Sequence, residues 1–183
     1  MRSICVFCSS SDELDPVYYK AAEELGEAIA ITGTELIYGG GMIGLMGVLA
    51  KSAQKHKGKV TGIIPKSLAR KGIMYEHAEE MIETKDLRDR KELMEKRADA
   101  FIAIPGGFGT LEEVAEIITA KQLHYHKKPI VLINTNNFFD DLLGHFDRCY
   151  KEKFIDERSR ELYFTAKNAG EAIEYINKTR DYL

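Results

Sequence analysis

Short apolar runs alternate with longer segments of helical periodicity along the whole chain, and each run stops at a cluster of turn residues. Ser3–Cys8 stops at Ser9-Ser10-Ser11-Asp12, and Leu36-Ile37-Tyr38 stops at Gly39-Gly40-Gly41. Val60–Ile64 ends in Pro65, and Phe101–Ile104 ends in Pro105-Gly106-Gly107. Runs this short and this uniformly apolar read as strands covered on both faces. Glu80–Thr84, Ile130–Ile133 and Tyr163–Thr165 complete the strand set. Between them, Pro16–Thr32 carries Val17, Ala21, Leu25, Ala28 and Ile29 at helical spacing, with Gly33 as a C-cap. Further helices are predicted over Gly44–His56, Asp86–Ala98 with Asp86 as N-cap, Leu111–His126, Phe138–Lys151 and Ala169–Lys178. Lys66–His77 reads as a loop with a short helical turn. Strand and helix in strict alternation predict an α/β, Rossmann-like, doubly wound and mainly parallel sheet with helices on both faces. No linker, repeat or low-complexity segment divides the chain, so one domain is expected over residues 1–183.

Composition narrows the function classes. A chain of 183 residues can build a core without disulfides or metal. Twenty-six basic residues against 29 acidic ones leave a net charge of −3, which argues against a nucleic-acid binder. Three cysteines make no disulfide framework and suit a reducing compartment. No apolar run nears the ~18 residues of a membrane span, and the first run is too short for a signal peptide. A soluble, cytoplasmic protein is expected.

In a doubly wound fold ligands bind beyond the carboxyl ends of the strands, where strand order switches. The loops after Cys8, Tyr38 and Ile104 therefore matter most. The stretch Gly39–Gly47 satisfies G-x-G-x-x-G between a strand and a helix. A dinucleotide site also needs an acidic residue about 20 positions on, to hold the ribose. After Glu35 the next acidic residue is Glu76, and Lys51, Lys55, Lys57, Lys59, Lys66, Arg70 and Lys71 fill the interval. That pattern speaks against NAD and leaves anion contact and tight packing as equal readings of this loop. The second loop, Pro105-Gly106-Gly107-Phe108-Gly109-Thr110, puts glycines beside a helix start, where free N–H groups suit phosphate. Thr110-Leu111-Glu112-Glu113 also fits a capping box, with Glu113 serving its own helix end.

Within Asp86–Ala98, Leu87, Met94 and Ala98 share a stripe, with Arg90 and Arg97 at its edge. Pattern alone favours a solvated charged helix with Arg88–Glu92 and Glu92–Lys96 pairs. Cys5 and Cys8 lie on opposite faces of a strand and belong to the core rather than to a redox motif. His124 and His126 suit a surface role at a helix C-terminus, and Leu45 and Met46 suit the core.

Cys5-Val6-Phe7-Cys8-Ser9-Ser10, Tyr38-Gly39-Gly40-Gly41, Gly44-Leu45-Met46-Gly47, Ile64-Pro65-Lys66, Arg90-Lys91-x-x-Met94 and Pro105-Gly106-Gly107-x-Gly109-Thr110-x-x-Glu113 occur in this order. Together they resemble the LOG ("Lonely Guy") family of cytokinin-activating phosphoribohydrolases, sequences long labelled as lysine decarboxylases. The resemblance runs from about Ser3 to Phe154. It implies hydrolysis of the N-glycosidic bond of a nucleoside 5′-monophosphate, either adenosine monophosphate or its N6-prenylated form, to free base and ribose 5-phosphate. It implies no metal or organic cofactor, and a homodimer. Carried over residue by residue, it makes Arg90 and Glu113 the catalytic pair. It assigns the phosphate to the backbone of Gly107, Phe108, Gly109 and Thr110, with Lys91 beside it. Gly106, Ser10, Gly41, Glu80 and Thr119 complete the expected substrate-binding set. Two positions depart from the family pattern. Ser9 stands where glycine is common, and Gly72 where an acidic residue often contacts substrate, leaving Glu76, Glu79 or Glu80 for that contact.

The residue types suit this chemistry. Departure of the base leaves an oxocarbenium-like ribose, which a carboxylate at C1′ stabilises. The same carboxylate can activate water. A lysine decarboxylase would need pyridoxal phosphate and a Schiff-base lysine in a larger apparatus. The rival from another class is a non-catalytic nucleotide-binding carrier or sensor on the same fold.

Overall fold

The computed structural model of the protein describes residues 2–180. Seven strands form one fully parallel sheet: β1 (Ser3–Phe7), β2 (Glu35–Tyr38), β3 (Val60–Pro65), β4 (Glu80–Thr84), β5 (Ala100–Ala103), β6 (Ile130–Ile133) and β7 (Phe164–Ala166). Six helices connect or follow them: α1 (Pro16–Ile31), α2 (Gly44–Lys55), α3 (Leu87–Arg97), α4 (Phe108–Gln122), α5 (Asp140–Lys151) and α6 (Ala169–Arg180). The strand order is β4-β3-β2-β1-β5-β6-β7, so the winding direction reverses between β1 and β5. Register at the switch pairs Cys5 with Phe101 and Phe7 with Ala103. Loops leaving the carboxyl ends of these two strands diverge there and open a crevice. The Rossmann-like, doubly wound class expected from the sequence is thus the fold observed.

Alternation along β1 sorts the core into two layers. Ile4, Val6 and Cys8 face α1, α2 and α6, while Cys5 and Phe7 face the layer of α3, α4 and α5. Cys5 and Cys8 therefore do lie on opposite faces, and all three cysteines are free thiols. Burial pushes the thiols of Cys5 and Cys8 well above the usual range, which keeps them protonated. His126 departs from its expected surface role. It is buried against Phe101, with Nε2 3.0 Å from the Ile117 carbonyl, and burial lowers its pKa. No helix among the described residues is long and apolar enough to cross a membrane.

The segment after β3 is built from turns, and it crosses over the glycine loop after β2. Met42 N–H donates to the Ile73 carbonyl at 2.7 Å, and Tyr75 N–H to the Gly40 carbonyl at 2.9 Å. Gly72 sits at φ +85°, a left-handed conformation in which an acidic side chain would be strained.

Candidate active site

Helix α4 starts at Phe108, with Gly107 as its N-cap, three residues before the start expected at Leu111. That shift dissolves the capping box. Thr110 becomes the third helical residue rather than the cap, and Glu113 moves a full turn into the helix, on its buried side. No acceptor among the described residues takes the N–H groups of Gly106, Gly107, Phe108, Gly109 or Thr110. These donors open onto the crevice at the positive end of the helix dipole. Gly106 is required for a close approach: a Cβ there would sit 2.1 Å from Thr110 Oγ1.

The other glycine loop is a different object. At the start of α2, Gly44 N–H donates to Asp12 Oδ1 at 2.8 Å and Leu45 N–H to the Ser9 carbonyl at 3.0 Å. The chain's own acceptors take these two donors. The loop's glycines also serve packing: a Cβ on Gly39 would lie 2.4 Å from Arg90 Nη2. Gly39 and Gly41 line the same crevice, so packing and ligand contact both stand as readings of this loop.

Arg90 leaves the solvated face the pattern favoured and enters the crevice through that gap. Its Nε donates to the Ile63 carbonyl at 3.0 Å and its Nη1 to Glu113 Oε1 at 2.7 Å. The two side chains are 13% and 9% exposed, so this ion pair is scarcely screened by water. Burial raises the Glu113 pKa above the ordinary carboxylate range, and Arg90 works against that rise.

The crevice holds about 590 Å3, within the range of small-molecule sites. Ser10, Gly41, Arg90, Gly107, Phe108, Gly109, Thr110 and Glu113 line it, as the sequence placed them. The apolar wall was not foreseen. Leu87 belongs to this wall at 57% exposure rather than to the buried stripe, and Met46 packs against the core as expected while also lining the crevice. Leu68 and Ile73 join them from the crossing segment, and Cys8 from the end of β1. Phe108 stands at the mouth, 94% exposed. An apolar side chain left in water was the one available signal, and exposure cannot be read from a sequence.

Other expected site residues lie elsewhere. Lys91 bonds Glu112 and, at 2.9 Å, Glu116, outside the crevice. Glu80 makes a bidentate pair with Arg97 at 2.7 and 3.0 Å, near Glu35 and Thr61 at the opposite end of the strands. Thr119 donates to the Ala115 carbonyl on the outer face of α4. Glu79 accepts from Val60 N–H, and neither it nor Glu76 lines the crevice. Nor does any lysine, so the site offers no amine for a Schiff base.

A parallel sheet with an uncapped helix start and a buried carboxylate–guanidinium pair at its switch in strand order defines a Rossmann-like protein built to hold a small ligand there. The family model described as "Possible lysine decarboxylase" matches residues 46–176. A cytokinin riboside 5′-monophosphate phosphoribohydrolase of Arabidopsis thaliana is 40% identical over 100% of this chain and 87% of its own. One from Oryza sativa subsp. japonica is 42% identical over 96% and 74%. The chain belongs to this family, the LOG family. Among solved structures, a molybdenum cofactor binding protein of Rippkaea orientalis superposes with a TM-score of 0.74, covering 97% of this chain and 96% of its own. The molybdenum cofactor carrier protein of Chlamydomonas reinhardtii superposes at 0.73. At 24% and 22% identity these two share the fold.

Proposed function

We propose that the protein hydrolyses the N-glycosidic bond of nucleoside 5′-monophosphates, releasing the base from a cytokinin riboside 5′-monophosphate or from adenosine monophosphate. The observation that carries this reading is the buried Arg90–Glu113 pair beside the unoccupied donors of α4. A site that only binds phosphate gains nothing from a carboxylate next to an anion.

In this reading the 5′-phosphate sits on the N–H groups of Gly107 to Thr110, with the Thr110 hydroxyl beside it. The base lies along the wall of Met46, Leu68, Ile73 and Leu87. Arg90 holds Oε1 of Glu113, which leaves Oε2 without a hydrogen-bond partner among the described residues. As the base departs, the ionised carboxylate stabilises positive charge at C1′ and accepts a proton from the attacking water. Water oxygen joins C1′, the C1′–N bond breaks, and the bonding pair leaves with the base, which takes up a proton from solvent as Glu113 returns its own.

Base release from adenosine monophosphate, from its N6-prenylated form and from adenosine tests the proposal. The nucleotides turn over and the nucleoside does so poorly, because it cannot use the α4 donors. Glu113→Gln lowers turnover on the order of 10²–10³-fold while inorganic phosphate still binds. Nucleotide binding without base release in the wild type would instead identify a carrier on the same fold. The proposal extends to a cytoplasmic homodimer. Just beyond the end of α4, Leu123 is 58% and Tyr125 79% exposed, and a second copy would cover them. Light scattering at micromolar concentration that returned a monomer would reject the dimer.

A further inference from the structure

Adjacent residues on α3, Arg90 and Lys91, meet adjacent residues on α4, Glu113 and Glu112. The first pair lies inside the crevice and the second outside it. Lys91 is 14% exposed at its side chain and bridges Glu112 and Glu116, one helical turn apart on α4. Helix α3 packs on the sheet, against β1, β2, β3 and β4, and shares an apolar cluster with α4 through Met94, Val114 and Ile117. Above that cluster, side-chain ion pairs tie the two helices together at the level of the site.

We propose that Lys91 is a positioning residue for the Arg90–Glu113 pair, and not a ligand of the substrate phosphate. It acts in two ways. It holds the second and third turns of α4, which carry Glu112, Glu113 and Glu116, at the distance from α3 where Arg90 reaches Glu113. It also neutralises Glu112, whose negative charge otherwise raises the Glu113 pKa through the adjacent residue. The titratable and charged groups facing Glu113 are Arg90 and Lys91 from α3, Glu112 from its own helix, and the protonated thiols of Cys5 and Cys8 at β1. The phosphate donors open into the crevice, which Lys91 does not line.

The inference rests on the phosphoribohydrolase reading for its kinetic arm alone. Lys91→Met lowers kcat on the order of tenfold, because misplacing a reacting group by a fraction of an ångström suffices for that. KM for the nucleotide stays within about threefold of wild type, since uniform binding is untouched. The acid limb of kcat moves to higher pH in Lys91→Met and to lower pH in Glu112→Gln, and returns in the double variant. Opposite movements of that kind do not follow from a loss of packing alone. Lys91→Arg, which keeps the charge, restores most of kcat.

Two measurements need no turnover. Inorganic phosphate titrated calorimetrically binds Lys91→Met as it binds wild type. The Glu113 carboxyl, followed by carbon NMR, titrates at higher pH in that variant. A phosphate affinity lowered tenfold or more, or a Glu113 titration that does not move, overturns the inference whether or not the wild type releases base. Absence of base release in the wild type overturns the hydrolase reading alone.

Discussion

Arg90→Gln isolates the electrostatic half of the proposed mechanism. Nη1 of Arg90 lies 2.7 Å from Glu113 Oε1, and both side chains are nearly buried. With charge centres about 4 Å apart and an effective dielectric of ~20, the attraction is worth about 4 kcal/mol. At about 1.4 kcal/mol per pH unit that sets a ceiling near three units. Water entering the space left by the shorter side chain lowers the figure, and an opposite charge at this range commonly moves a carboxyl by about 1–3 units. The Glu113 carboxyl is already raised by burial, so losing Arg90 carries it further in the same direction. Base release must be ionised-Glu113 dependent in this mechanism. The acid limb of kcat/KM therefore moves upward by about one to two pH units in Arg90→Gln, measured from about pH 5 to pH 9. Arg90→Lys retains the charge and keeps the limb close to wild type, with a lower plateau from the lost bond to Ile63. A limb unmoved in Arg90→Gln, with only the plateau reduced, would show that Arg90 acts on the departing base or the phosphate rather than through Glu113.

Stability follows the same carboxyl. A folded pKa raised by burial means the native state holds the Glu113 proton more tightly than the unfolded chain does. That contribution is complete below the unfolded pKa and is lost as pH rises through the higher folded value. The thermal midpoint of wild type should accordingly fall relative to Glu113→Gln over that window; a relative gain with pH sinks the argument. Gly39→Ala places a Cβ 2.4 Å from Arg90 Nη2, the far end of a flexible side chain. The fold should persist, while base release falls by at least tenfold, as expected when a reacting group is displaced; unchanged kinetics would show that Arg90 tolerates the shift. Arg97→Ala breaks the bidentate pair with half-exposed Glu80, while buried Glu35 keeps Lys59 and Thr61, at a cost of about 0.5–1 kcal/mol. Chemical denaturation should register that loss while the acid limb of activity stays in place, because the pair lies at the opposite end of the sheet.

The layout of strands and helices was legible in the sequence because it rests on local periodicity. Ile130–Ile133 and Glu80–Thr84 form as read, and Asp86 caps α3 through bonds from the N–H groups of Arg88 and Asp89. Doubly wound chains use more than one strand order, so the sequence determined the class of sheet while the structure supplied the order and its switch between β1 and β5. The two catalytic candidates and the phosphate loop came from motif resemblance. No periodicity would have separated Arg90 from Arg97, which share a helix flank.

Tertiary structure decided the rest. Helix α4 begins at Phe108 because glycine flanks carry no local signal for the first turn. That start alone turns Glu113 from a capping residue into a buried partner of Arg90. Arg90 and Lys91 are neighbours in sequence but about 100° apart around α3, so one enters the crevice while the other ties α3 to α4. Glu80 and Thr119 share residue types with binding sites, yet the sheet and the outer face of α4 carry them away from it. Leu87 is apolar and reads as part of a buried stripe, but at the start of α3 it lines an open wall, which Leu68 joins from the segment that crosses the glycine loop. Each of these outcomes depends on which long-range surfaces meet, and side-chain periodicity within one segment holds no information about the segment it will face.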